Sequence, residues 1–132
     1  MNEQQCASLL ASDFDSLDGI TFHAAGSSAT GEKPYGVVRF QDFTENVTLL
    51  GNYDGTILVM LRTIPEDTSQ EAVDAWADEI TSRLASKDSV SIALAGFYSA
   101  AECWNVQTQT SSVNDGVRET PIQVTTSLVQ LA

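Results

Sequence analysis

The sequence predicts an α+β domain with a mainly antiparallel sheet and helices packed on one face. Three features of the sequence carry that expectation. Residues 56–64 form a run apolar on both faces, residues 69–84 follow with an apolar stripe at helical spacing, and turn signals punctuate the rest. A length of 132 residues fits one domain spanning 1–132, and 42% hydrophobic residues suffice for a core.

Taken in order, residues 2–11 predict a short helix, with Cys6, Leu9 and Leu10 at i, i+3, i+4. Asp13 and Asp15 close it in an acidic turn; no base or nucleophile stands beside them, so they are expected to be solvated, not catalytic. Residues 24–34, AAGSSATGEKP, are expected to be a flexible loop. Gly26 and Gly31 have the spacing of a phosphate-binding loop, but Glu32 occupies the lysine place and Pro34 the hydroxyl place, which defeats that site.

Pro34 opens a strand over 35–43, where Val38 and Phe40 alternate with Arg39 and Gln41. Residues 47–50 read as a second run, and Asp54-Gly55 before the apolar strand reads as a hairpin turn. In the strand at 56–64, Ile57, Val59 and Leu61 share one face and Leu58 and Met60 the other, a pattern that asks for cover on both sides. Thr68 and Glu71 suggest a capping box for the helix over 69–84, with Val73, Trp76, Ile80 and Leu84 as its buried stripe. Residues 90–99 are apolar and fit either a strand or a helix. Residues 103–110 alternate as a strand, Asn114-Asp115-Gly116 marks a hairpin, and Pro121 suits a strand start or edge. In the last strand the apolar side changes from Ile122, Val124 and Leu128 to Val129 and Leu131, which predicts a bulge or an end buried on its other side.

Eighteen acids against six bases give −12, with Lys33 and Lys87 the only lysines. Such a chain is repelled by phosphate backbones and anionic lipid, so binding to DNA or to a membrane surface is not expected. No run reaches about 18 apolar residues, so no membrane span is expected, and residues 1–16 are acidic without a basic stretch, so no secretion signal is expected. His23 is the only histidine and Cys6 and Cys103 have no CxxC spacing, so neither a metal site nor a cofactor is expected, and the thiols read as reduced and partly buried. No nucleophile–base pair is evident, and no enzymatic activity is expected.

Read together, the proline-led strand PYGVVRF, the segment NVTLLGNYDGTILVMLRTIP, the tryptophan-bearing helix SQEAVDAWADEI and the Gly-aromatic step AGFYS resemble the tail terminator proteins of lambda-like long-tailed bacteriophages. Related neck, head-completion and tail-tube proteins share the pattern. The resemblance implies a virion protein assembled in the host cytoplasm: a hexameric ring that caps the tail tube, ends its polymerisation and meets the head connector. DNA would pass through such a ring without being bound, and the acid excess suits that wall. Candidate interface residues lie in the loop (Gly26, Ser27, Ser28, Thr30, Glu32, Lys33) and around the turns (Asp54, Asn114, Asp115, Arg118). The reading of a different class is a small acidic adaptor or binding domain outside any virus.

Overall fold

A computed structural model of the chain describes residues 1–26 and 34–131. In chain order they form α1 (Glu3–Phe14), β1 (Thr21–Ala24), β2 (Tyr35–Glu45), β3 (Asn52–Thr63), α2 (Gln70–Ala85), α3 (Lys87–Ala93), β4 (Tyr98–Thr108), β5 (Ser112–Asn114) and β6 (Val117–Gln130). The strands make one sheet in the order β1-β2-β3-β6-β4, with β5 paired to β6 beside the end of β4. The loop expected over 24–34 falls for the most part on residues outside the described ones.

The α+β class stands, but the sheet is mixed where a mainly antiparallel one was expected. β1 runs parallel to β2, with Thr21 opposite Tyr35 and Ala24 opposite Val38. A tight hairpin forces antiparallel pairing, whereas residues 25–34 are long enough to return the chain to its starting end before β2 begins.

Side chains alternate along β6 and the second half of β3, the centre of the sheet. Ile57, Val59, Leu61 and Thr63 of β3 are buried, as are Ile122, Val124, Thr126 and Leu128 of β6 and Val38 and Phe40 of β2. α1 covers this face over β1 and β2, while α2 and α3 cover it over β4 and β6. Among the described residues no element covers the opposite face. Leu58 and Met60 point there and are half-buried, so among those residues the cover expected on both sides of β3 is present on one side only.

Two turn assignments change. The β2–β3 connection is residues 46–51, and 47–50 is not a strand. Asn46 Oδ1 accepts from the backbone N–H of Thr48 at 2.8 Å and of Leu49 at 3.2 Å, an Asx turn that competes with strand pairing. Gly51, at φ +85°, completes it. Asp54 and Gly55 lie inside β3, opposite Ser127 and Thr126 of β6. A Cβ on Gly55 would sit 2.5 Å from the Phe43 ring, so close approach of an aromatic ring, not a turn, requires glycine there. The two-residue turn at Asp115-Gly116, both at positive φ, joins β5 to β6 as expected.

β6 keeps one phase from Val117 to Gln130, so the expected bulge is absent from it; the irregularities lie in β4, between Ala100 and Glu102 and between Trp104 and Gln107. Pro121 is central, between β3 and β4, and neither starts a strand nor lies on an edge. It falls where pairing passes from β4, whose Thr108 faces Ile122, to β5, whose Ser112 faces Glu119. At that changeover its carbonyl accepts from Gln109 N at 2.9 Å, and having no N–H it cannot return the bond.

Ser69, not Thr68, caps α2, accepting from Ala72 N at 3.2 Å. The buried stripe is Val73, Ala77, Ile80 and Leu84. Trp76 stands at its border, half-buried, with its indole N–H donating to the Asp18 carbonyl at 3.0 Å. The ambiguous run at 90–99 divides: α3 continues from α2 through Ser86, which caps it, and β4 begins at Tyr98. Among the described residues no helix is long and apolar enough to cross a membrane.

Candidate docking surfaces

The sequence-selected interface residues that are described, Gly26, Asp54, Asn114, Asp115 and Arg118, do not converge. Gly26 is exposed at the β1 side, beside a broad open hollow of about 860 Å³ between the start of α1 and β2, close to where the β2–β3 register shifts between Gln41 and Thr44. Asp54 is half-buried in β3 and accepts from the Ser127 hydroxyl. Asn114 and Asp115 are exposed at the opposite end of the sheet, where Val117 follows. Arg118 is not a surface contact at all. It is 9% exposed, and its Nη1 donates to the Thr68 carbonyl at 2.8 Å, tying β6 to the turn before α2. Ser27, Ser28, Thr30, Glu32 and Lys33 lie outside the described residues.

The residues that do gather were not singled out from the sequence. The Asx turn at 46–51 leaves Val47 95%, Leu49 57% and Leu50 82% exposed. The Gln130 N–H donates to the Gly51 carbonyl at 2.8 Å and the Leu131 N–H to the Phe97 carbonyl at 3.1 Å. Those two bonds bring the turn, the end of β6 and the turn before β4 to one end of the sheet. Phe97 and Leu131 are also exposed, so most of the large exposed apolar side chains of the described residues lie at this end. A concentration of that kind marks an interaction site, whereas scattered apolar residues do not. The turn is held by its own hydrogen bonds, including Gly51 N to Glu45 Oε2 at 2.9 Å, so it is preorganised for contact.

The second surface is the uncovered sheet face. Val37, Leu58 and Met60 line a shallow recess of about 130 Å³ together with Gln41, Arg39 and Arg62. A cavity of roughly 150 Å³ holds a benzene-sized group, so the recess suits one or two aliphatic side chains. Arg62 pairs with Glu119 at 3.3 Å across the strands, and its Nη1 donates to Tyr35 Oη at 3.4 Å, contacts that hold its already high pKa higher still. Trp104, 39% exposed, sits opposite Thr125 on the same face.

The reactive residues are dispersed. His23 lies at a tilt to Tyr35, ring centres 6.1 Å apart, and its Nε2 is buried without a partner among the described residues. Asp15 Oδ1 accepts from Phe22 N at 2.9 Å, and Asp13 pairs with Arg83 at 3.4 Å, so both acids named in the sequence serve structure. Cys6 is fully buried under α1, and desolvation pushes its thiol up to about 11. Cys103 is half-buried, likewise raised by burial, and lies 3.4 Å from Thr126 Oγ1. Among the described residues no group of His, Cys, Asp and Glu is placed to hold a metal ion.

No family model matches the chain, and no curated protein matches it. A solved structure whose name is a bare identifier without functional words is similar over 93% of this chain and 89% of its own, at 13% identity and a TM-score of 0.60. At that identity the likeness shows a shared fold.

Proposed function

We propose that this chain is a structural ring protein of a phage head–tail junction, a tail terminator or a close neck relative. Its copies would form a hexameric ring on the last tail-tube subunits, end their polymerisation and present a surface to the head connector. The observation that carries the reading is that the described residues present two separate surfaces, an exposed apolar end and a sheet face that no described element covers. A ring subunit needs two different surfaces, because each copy meets one neighbour on either side through a head-to-tail contact. A small binding domain with a single partner, the competing class, needs one. The net charge of −12 supports the same reading, since a channel wall of that sign lets DNA pass without retaining it.

Native mass spectrometry and negative-stain imaging of the purified protein test the proposal. Closed rings of six copies, and no retention on immobilised DNA at low salt, are expected. A strict monomer at every concentration, or tight binding to DNA, overturns it.

A further inference from the structure

We propose that neighbouring copies join through one defined contact: the apolar turn Val47–Leu50 of one copy enters the recess of Val37, Leu58 and Met60 on the open sheet face of the next. This rests on the ring reading above and names the surfaces that build it.

The occupant is argued from charge. Two copies at −12 repel one another unless their contact sets cations against acids. The chain has six basic residues, and the structure leaves few of them able to do this. Arg83 is engaged with Asp13 and Glu79, Arg118 is buried, Lys33 is outside the described residues, and Lys87 is exposed on α3. Arg39 and Arg62 both flank the recess; Arg62 is engaged with Glu119 and Tyr35, which leaves Arg39, exposed and without an ion pair among the described residues, as the cation there. The open face is therefore where an acidic copy can land. The turn is the matching shape: residues 42–54 hold Asp42, Glu45 and Asp54 and no base, around an exposed apolar tip.

Geometry favours a head-to-tail contact over self-pairing. Along β3, Asn52 at the tip lies roughly 20–26 Å from Leu58 and Met60 in the recess, at ~3.3 Å per residue. Although Gln41 at the recess edge adjoins Asp42, the apolar tip and the apolar recess do not overlap, so one copy can give its tip and receive another's at once. A contact between unlike patches closes into a ring when the rotation allows.

The test uses two variants of the full chain. Leu50→Asp spoils the tip at a side chain 82% exposed, and Met60→Asp spoils the recess. Circular dichroism and thermal melting check that both fold, and Arg39→Glu, at an exposed site, serves as a second recess variant. Each alone is expected to associate on the order of 30-fold more weakly than wild type, or worse, by sedimentation. Mixed in equal amounts they are expected to form a dimer and nothing larger, because each retains the surface the other lacks. If wild type assembles but the mixture stays monomeric, or either variant assembles normally, this contact is wrong and the ring reading is untouched. If wild type is monomeric up to about 1 mM, both fail.

Discussion

The Nη1 of Arg118 donates to the carbonyl of Thr68 at 2.8 Å, and that single bond joins the central strand β6 to the turn that starts α2. Thr63 Oγ1 is the other neighbour, at 3.5 Å. A guanidinium 9% exposed, with no acid paired to it among the described residues, depends on such bonds to offset its burial. A hydrogen bond to a charged group is worth about 1.5–3 kcal/mol. Arg118→Ala is expected to lower stability by about 2–3 kcal/mol in urea titration, and Thr63→Ala by less than about 1 kcal/mol, because the longer contact is the weaker. Equal effects would mean that the Thr68 bond is not the anchor.

Arg118 also shows where sequence reading stopped. Its acceptor is a backbone atom fifty residues away, which no local pattern reveals. The type of reading that works on neighbours did work: the helical stripe of Val73, Ile80 and Leu84, and the Asp115-Gly116 turn, whose geometry is written in two adjacent residues. The apolar tip was misread as strand because Val47, Leu49 and Leu50 look like core. Asn46, whose side chain can bond the backbone two residues on, was the available signal for a turn. The open sheet face was half legible. Leu58 and Met60 announced that β3 is apolar on both sides, while which face the helices cover depends on elements far from β3 in the chain.

Trp76 at the border of the α2 stripe changes the expected cost of losing it. A fully buried tryptophan or phenylalanine replaced by alanine costs about 3–5 kcal/mol. Trp76 is only partly buried, so Trp76→Ala is expected to cost about 2 kcal/mol, of which the bond to the Asp18 carbonyl accounts for about half. Trp76→Phe should therefore recover roughly half the loss. Ile80→Ala, at a site 0% exposed, is expected to cost more than Trp76→Ala. The order of the three melting temperatures checks the placement of α2 on the sheet.

Gly55 lies under an aromatic pair. Phe43 stacks on Phe40 with ring centres 5.4 Å apart, and an added Cβ at position 55 would meet the Phe43 ring at 2.5–2.8 Å. Gly55→Ala is expected to cost about 1–3 kcal/mol by overpacking. The double variant Gly55→Ala with Phe43→Ala should lose less than the sum of its parts, because the clash vanishes with the ring. Strict additivity in a double-mutant cycle would contradict the contact. Gly51→Ala meets open space, so its cost, about 1 kcal/mol, comes from its positive φ alone.

Cys6 makes stability depend on alkaline pH. Burial holds its thiol protonated to about 11 in the folded chain, above the ordinary value of 9.0. The folded state then binds more protons than the unfolded state between those values, so stability is full below pH 9 and falls as pH rises toward 11. The loss is about 2–3 kcal/mol at most, at 1.36 kcal/mol per unit. Tyr98, also raised by burial and next by the charge of Cys6, adds to the same decline above pH 10. Cys6→Ala is expected to be less stable at neutral pH, through a small cavity, but to show a shallower fall from pH 9 to 11 in denaturant titrations. The same burial predicts that a thiol reagent at pH 8 labels Cys6 only on unfolding, since the attacking species is the thiolate. Rapid labelling of Cys6 in the native protein, with no change in circular dichroism, would show that α1 does not seal it.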